Sequence, residues 1–258
     1  MASFASEHRT FFYNLKRYGL SLSKEEIRQI IITVLIIGFV WSFNKFGDTP
    51  ETWLLVGAKN FIIGALFALV AIVFNQIGQR IVGVYYGYDP IYEYCMIGLM
   101  IALVITFASR GFLIFFLPGG INLRHLTASR LGEFRYYTND WEWAKAGFMG
   151  PFMNILLALL ASPFKDVMIL GLPIFKQFMI MNMFFAIYSL IPLPSNLGLY
   201  LFYPHIFFWS FTAAFVASCS AMMFFLNPLI TIIVGLLLGF GGLFYHFQKD
   251  GKWDYDRS

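Results

Sequence analysis

The chain has 258 residues, of which 59% are hydrophobic, 20% aromatic and only 12% charged, with a formal net charge of +4. Soluble domains carry about a quarter charged residues, so a water-soluble globular protein is excluded and an integral, multi-pass membrane protein is expected. Apolar stretches near the ~20 residues that cross a bilayer recur along the chain, and no polar block is long enough for a separate soluble domain.

Residues 1–29 read as an amino-terminal interfacial or cytoplasmic segment, 30–247 as the transmembrane domain and 248–258 as a polar tail. No compact apolar region with a small-residue cleavage site stands at the start, which argues against a cleaved signal peptide. Residues 9–20 alternate basic and aromatic side chains, which suits either a headgroup-level segment or a solvated tail. Ser23 and Glu26 have the spacing of a capping box, and the run 30–43 behind them predicts a first, short span.

A second span is expected from about Trp53 through residue 80, and a third over residues 94–107, cut by Ser109, Arg110 and Gly111. Residues 112–117 are too short to span and rich in β-forming side chains. They end at Pro118-Gly119-Gly120, so a shielded strand or hairpin over residues 112–122 is expected. A polar loop over residues 124–142 follows. Arg110, Arg124, Arg130 and Arg135 accompany Glu133, Asp140 and Glu142 there, a mixed polar surface and not a nucleic-acid site.

Asn139 with Glu142 can cap a helix that begins near Trp141, continues to about residue 161 and is kinked by Pro151. Further spans are expected over 174–190, 200–226 and 228–247, where Gly235 and Gly239 form a small-x-x-x-small face. The expected fold is therefore an all-α polytopic membrane protein with about six to seven transmembrane helices and a small β-hairpin. Trp41, Trp53, Trp141, Trp143 and Trp209 fall near span ends and suit interface anchors. Cys95 and Cys219 lie apart in apolar segments and read as small packing residues.

One segment carries a chemical signature. Asn75-Gln76-Ile77-Gly78-Gln79 has the spacing of the zinc-protease motif H-E-x-x-H, with an amide at each competent position. Two imidazoles one helical turn apart hold zinc, and the adjacent carboxylate takes a proton from water. Amides bind zinc poorly and are not bases near neutral pH, so metal and base are both lost. His125 and His205 lack a second ligand at helical spacing, and His8 and His246 offer less, so no metal is expected at any of them. The spans show no inward Asp, Glu or Arg of the kind that marks an ion path, which disfavours a transporter.

Three stretches, spread over about half the chain, resemble the site-2 protease family of intramembrane zinc metalloproteases. Residues 74–87, FNQIGQRIVGVYYG, are similar to that family's F-H-E-x-G-H-R-I-V-A-x-x-Y-G. Residues 146–154, AGFMGPFMN, resemble its G-P-x-x-N helix, and residues 182–198, NMFFAIYSLIPLPSNLG, resemble its ligand helix ending in P-P-L-D-G. The resemblance implies a bundle of helices in which the H-E-x-x-H helix meets the L-D-G ending, with a β-hairpin between the motif helices that pairs with an extended substrate.

Carried over, Asn75 and Gln79 stand at the two imidazole positions, Gln76 at the general base, and Leu197, or Asn196 with a one-residue shift, at the ligand aspartate. Asn154 is the active-site polar residue retained. Active relatives hold zinc; for this chain no cofactor is expected. The function expected is that of a pseudoprotease acting as scaffold or regulatory subunit, with lipids and other membrane proteins or transmembrane segments as partners. The alternatives are a structural subunit of a larger membrane complex and an active intramembrane metalloprotease with different ligands. As a purely structural feature, the cluster Asn75, Gln76, Gln79, Asn154 and Asn196 would form an interhelical polar network.

Overall fold

The computed structural model describes residues 11–46, 50–125, 139–169, 171–203 and 205–250. Most of the expected polar loop, with Arg130, Glu133 and Arg135, lies outside the described residues, as do His8 and the end of the tail; so do the side chains of His125 and His246.

The protein is mostly helical, with a small two-stranded sheet. Helix α1 (Lys24–Ser42) starts at the capping box read from the sequence. Ser23 Oγ accepts from Glu26 N at 3.1 Å, and Glu26 Oε2 accepts from Ser23 N at 2.8 Å. Helix α2 (Pro50–Tyr85) runs unbroken through the amide motif, and strand β1 (Tyr88–Glu93) follows. Next come α3 (Met96–Ala108), strand β2 (Gly120–His125) and α4 (Asp140–Ala161). The chain ends in α5 (Ile174–Ser189), the short α6 (Leu197–Phe202), α7 (Ile206–Met222) and α8 (Pro228–Asp250).

Among the described residues, three segments are long and apolar enough to cross a membrane: Trp53–Tyr85, Asp140–Phe164 and Pro228–Tyr245. The helices Met96–Ala108, Ile174–Ser189 and Ile206–Met222 are apolar but shorter than a full span. The last corrects the single span expected over 200–226. The chain leaves α6 after Phe202 and restarts at Ile206, and the sequence places between them Pro204, which has no N–H to give a helix.

The sheet also differs from expectation. Residues 112–117 form no strand, and β2 begins only at Gly120. Its partner is β1, antiparallel from Tyr88↔His125 to Glu93↔Gly120, with α3 between the two strands, so the pair is not a hairpin. The run 112–118 finds other partners: Tyr188 donates to Ile114 O at 2.6 Å, Tyr92 donates to Pro118 O, and Phe116 packs on Phe185 at 4.8 Å between ring centroids. Tyrosine hydroxyls thus satisfy carbonyls that a strand ladder would have used.

Small residues set how closely the helices approach. A Cβ on Gly38 of α1 would lie 3.0 Å from the Ala65 backbone of α2, and one on Gly64 would lie 2.9 Å from Trp41 Cδ1. Trp41 is 3% exposed and belongs to this core, which corrects its reading as an interface anchor; Trp53 and Trp141 are exposed. On α8, Gly235 and Gly239 meet α7 as the sequence suggests, with Cys219 Sγ and Phe215 against the first and Phe211 against the second. Half of the apolar window of α4 is buried against only 17% of that of α8, so α4 is central and α8 peripheral. One core joins α4, α5 and α7 around Ile155, Met179 and Phe215; another joins α1, α2, α3 and α5 around Ile37, Ala68, Leu99 and Phe185.

Candidate functional site

The four-residue spacing of Asn75 and Gln79 sets them on one face of α2, and Gln79 Nε2 donates to Asn75 Oδ1. Gln79 is fully buried, and Asn75 and Gln76 are nearly so. Two glycines let α4 approach this face. A Cβ on Gly78 would meet Met153 Cγ at 2.5 Å and Met149 O at 3.1 Å. On α4 itself, a Cβ on Gly150 would collide with Gln79 Nε2, lie 2.7 Å from Leu197 Cδ1 and lie 3.0 Å from Asn75 Nδ2. Asn75, Gln79 and Leu197 therefore converge on one point, although more than a hundred residues separate the last from the others.

Leu197 opens α6, is 1% exposed, and also touches β2, since a Cβ on Gly120 would lie 3.0 Å from Leu197 Cδ2. The start of β2 thus borders the convergence point. Gly198 is required next to Leu197 because a Cβ there would overlap the Leu190 and Ile191 carbonyls that end α5.

Asn154 is fully buried and lies one turn beyond Gly150, on the same face of α4. Neither its Oδ1 nor its Nδ2 has a partner, and Asn75 Nδ2, Gln76 Oε1 and Gln79 Oε1 are likewise unpartnered. Asn196 is placed differently. Its Nδ2 donates to Tyr188 O at 2.9 Å and Ile191 O at 2.8 Å, which fixes the α5–α6 turn, and the residue before it, Ser195, is held at φ 61°. Asn196 thus shapes the turn that delivers Leu197.

The donor set does not fit zinc. Three amides and a leucine offer weak neutral oxygens and one hydrocarbon where a site needs imidazole, thiolate or carboxylate. Among the described residues, no three His, Cys, Asp or Glu come together as a metal-binding group. His205 stacks on Trp141 with ring centroids 3.9 Å apart. What the cluster can do is donate and accept neutral hydrogen bonds: Asn and Gln side chains present the same paired N–H and C=O functions as a peptide group.

The sequence did not disclose the ion pair beside the cluster. Arg80, one residue after Gln79, is buried and pairs through Nη2 with Glu26 Oε1 of α1, and its Nη1 donates to Gly19 O at 3.3 Å. This corrects the view that the spans hold no inward charge, because Arg80 lies inside Trp53–Tyr85. Glu26 Oε1 also accepts from Tyr92 N at 2.9 Å, and Gln29 Oε1 from Tyr94 N at 3.1 Å, so α1 side chains cover the outer edge of β1. Burial alone would raise the Glu26 carboxyl; the Ser23 and Tyr92 N–H groups and the Arg80 guanidinium outweigh it and hold it below its usual range. A Glu in a first turn and a lone Arg at the end of a long apolar run were the available signals. Pairing them across 54 residues was not readable from either.

No protein-family model, curated protein or solved structure matches the chain.

Proposed function

We propose that the chain is a multi-pass integral membrane protein related to the site-2 proteases, without their chemistry, that works by binding other membrane segments as a scaffold or regulatory subunit. In this reading the shorter helices α3, α5 and α7 are membrane-embedded beside the three long ones, and the bundle closes around the amide cluster. The observation that carries it is the convergence of Asn75, Gln79 and Leu197 at Gly150. These are the positions where the related enzymes would hold zinc, and a chance likeness of three short stretches has no reason to bring them together.

Loss of every ligand at once, with the close approach of helices kept, favours a protein retained for its shape. The unpartnered amide atoms of Gln76, Gln79 and Asn154 give that shape a use. An unsatisfied buried polar group costs about 1–3 kcal/mol, so a partner backbone that supplied hydrogen bonds there would be held. A benzoylphenylalanine cross-linker in place of Phe74, exposed beside Asn75, tests the reading in intact membranes. Cross-links to a transmembrane segment of another protein, weakened by Gln79→Ala, are expected; cross-links within the chain or to lipid alone would contradict it.

A further inference from the structure

Residues 11–20 present two opposite faces. Phe11, Leu15 and Gly19 turn inward: Phe11 meets Tyr85 edge-on at 6.1 Å, and Gly19 is buried where a Cβ would lie 3.3 Å from Val84 Cγ2. The Arg80 bond to Gly19 O locks this face to the end of α2. The outer face is Phe12, Tyr13, Lys16, Arg17 and Leu20, all exposed, and residues 11–20 contain no carboxylate. Arg17 Nη1 donates to Tyr13 OH at 3.1 Å, and its guanidinium lies 5.3 Å over the Tyr18 ring, so the cation is held among aromatic rings.

The height of this face in a bilayer follows from α2. Exposed Trp53 and exposed Tyr85 mark its two ends. They are about 48 Å apart along a helix rising ~1.5 Å per residue. At an ordinary tilt of about 20° that is about 45 Å, against a bilayer of about 40–45 Å including headgroups. Tyr85 therefore reaches headgroup depth, and the face docked beside it through Phe11 lies there too.

We propose that this outer face is a binding surface for anionic phospholipid headgroups, with Lys16 and Arg17 on the phosphates and Phe12, Tyr13 and Leu20 in the acyl boundary. The charge sign selects the occupant. Zwitterionic headgroups offer the same phosphate but neutralise it with their own ammonium, so they attract the two cations less than a net-anionic headgroup, and each Lys or Arg near an anionic surface adds attraction that falls off with salt. Through Gly19, headgroup binding would steady Arg80, one residue from Gln79 near the end of α2.

The proposal rests on the membrane-spanning reading, and the test separates the two. The full chain and its Lys16→Glu/Arg17→Glu variant are placed in vesicles of phosphatidylcholine with or without phosphatidylglycerol, and spin-labelled forms of both lipids report the fraction restricted by the protein. Resistance of both proteins to alkaline extraction is the check on integration; release of both would overturn the membrane reading and this surface together. With integration intact, a several-fold preference of the wild type for phosphatidylglycerol is expected, lost in the variant and in high salt. Lys16→Gln/Arg17→Gln should retain only part of it. Equal restriction of the two lipids, a preference that survives charge reversal, or its abolition by inorganic phosphate at matched ionic strength would overturn the surface while leaving the membrane reading standing.

Discussion

At the residue scale the decisive positions are those where one atom more would not fit. Gly150 faces Gln79 Nε2, Leu197 Cδ1 and Asn75 Nδ2 at once, so Gly150→Ala must push α4 away from α2 or displace the Gln79–Asn75 bond. A loss of about 1–3 kcal/mol in stability is expected, measured by thermal or denaturant unfolding in detergent. Glu26 is a different kind of position, because its carboxylate serves the α1 cap, the β1 edge and Arg80 together. Glu26→Gln leaves the buried guanidinium without a counter-charge and should cost about 3–5 kcal/mol. The sign of its pH dependence follows from the lowered carboxyl. The stability advantage of the wild type over Glu26→Gln should be complete above the unfolded carboxylate value of about 4.3 and shrink as pH falls through the lower folded value. Asp89 nearby moves the opposite way: burial, and then the Glu26 charge, raise its carboxyl. An advantage that grew on acidification would contradict this assignment.

At the element scale, patterns local to a helix were legible. The Ser23/Glu26 box, the Asn139 half of the expected Asn139/Glu142 cap, which accepts from Trp141 N at 3.0 Å while Glu142 accepts from Tyr88 OH, the unbroken helix through the amide motif and the glycine face of α8 all rest on neighbours within a few residues. Elements defined by distant partners were missed. Strand β1 buries Tyr88, Pro90 and Tyr92 in strict alternation, a period of two visible in the sequence but overshadowed by the more apolar run at 112–117. That run is irregular, and its Ile114 carbonyl is taken by Tyr188, 74 residues away, with Tyr92 on the Pro118 carbonyl just after it. The site was legible in part for the same reason. The one-turn spacing of Asn75 and Gln79 is local, whereas the approach of Leu197 depends on Gly78, Gly150 and Gly198 letting three helices close up. For the α7–α8 contact, Gly235→Leu should overlap Cys219 Sγ and Phe215, at a cost of about 1–3 kcal/mol. Free thiol labelling of Cys219, buried in the wild type, should then accelerate. An unchanged labelling rate would show that the two helices do not need the small face.

At the scale of the whole molecule, the three apolar helices of spanning length found among the described residues, one central and one peripheral, frame a core in which the amide cluster and the buried Glu26–Arg80 pair lie side by side. In the membrane-embedded reading proposed above, the hydrophobic effect does not drive helices together, so close packing at small residues and interhelical hydrogen bonds must do so. The amide–amide bond of the cluster, Gln79 to Asn75, lies within α2, so the close approach at Gly78 and Gly150 joins α2 to α4 where a metal would have bridged them. An account in which amides replace zinc therefore makes a direct claim about composition. The measurement that tests it is the metal content of the purified wild-type chain after exposure to zinc and removal of the free ion. The account predicts zinc no higher than in Gln79→Ala treated in parallel; stoichiometric zinc in the wild type, lost in Gln79→Ala, would contradict it.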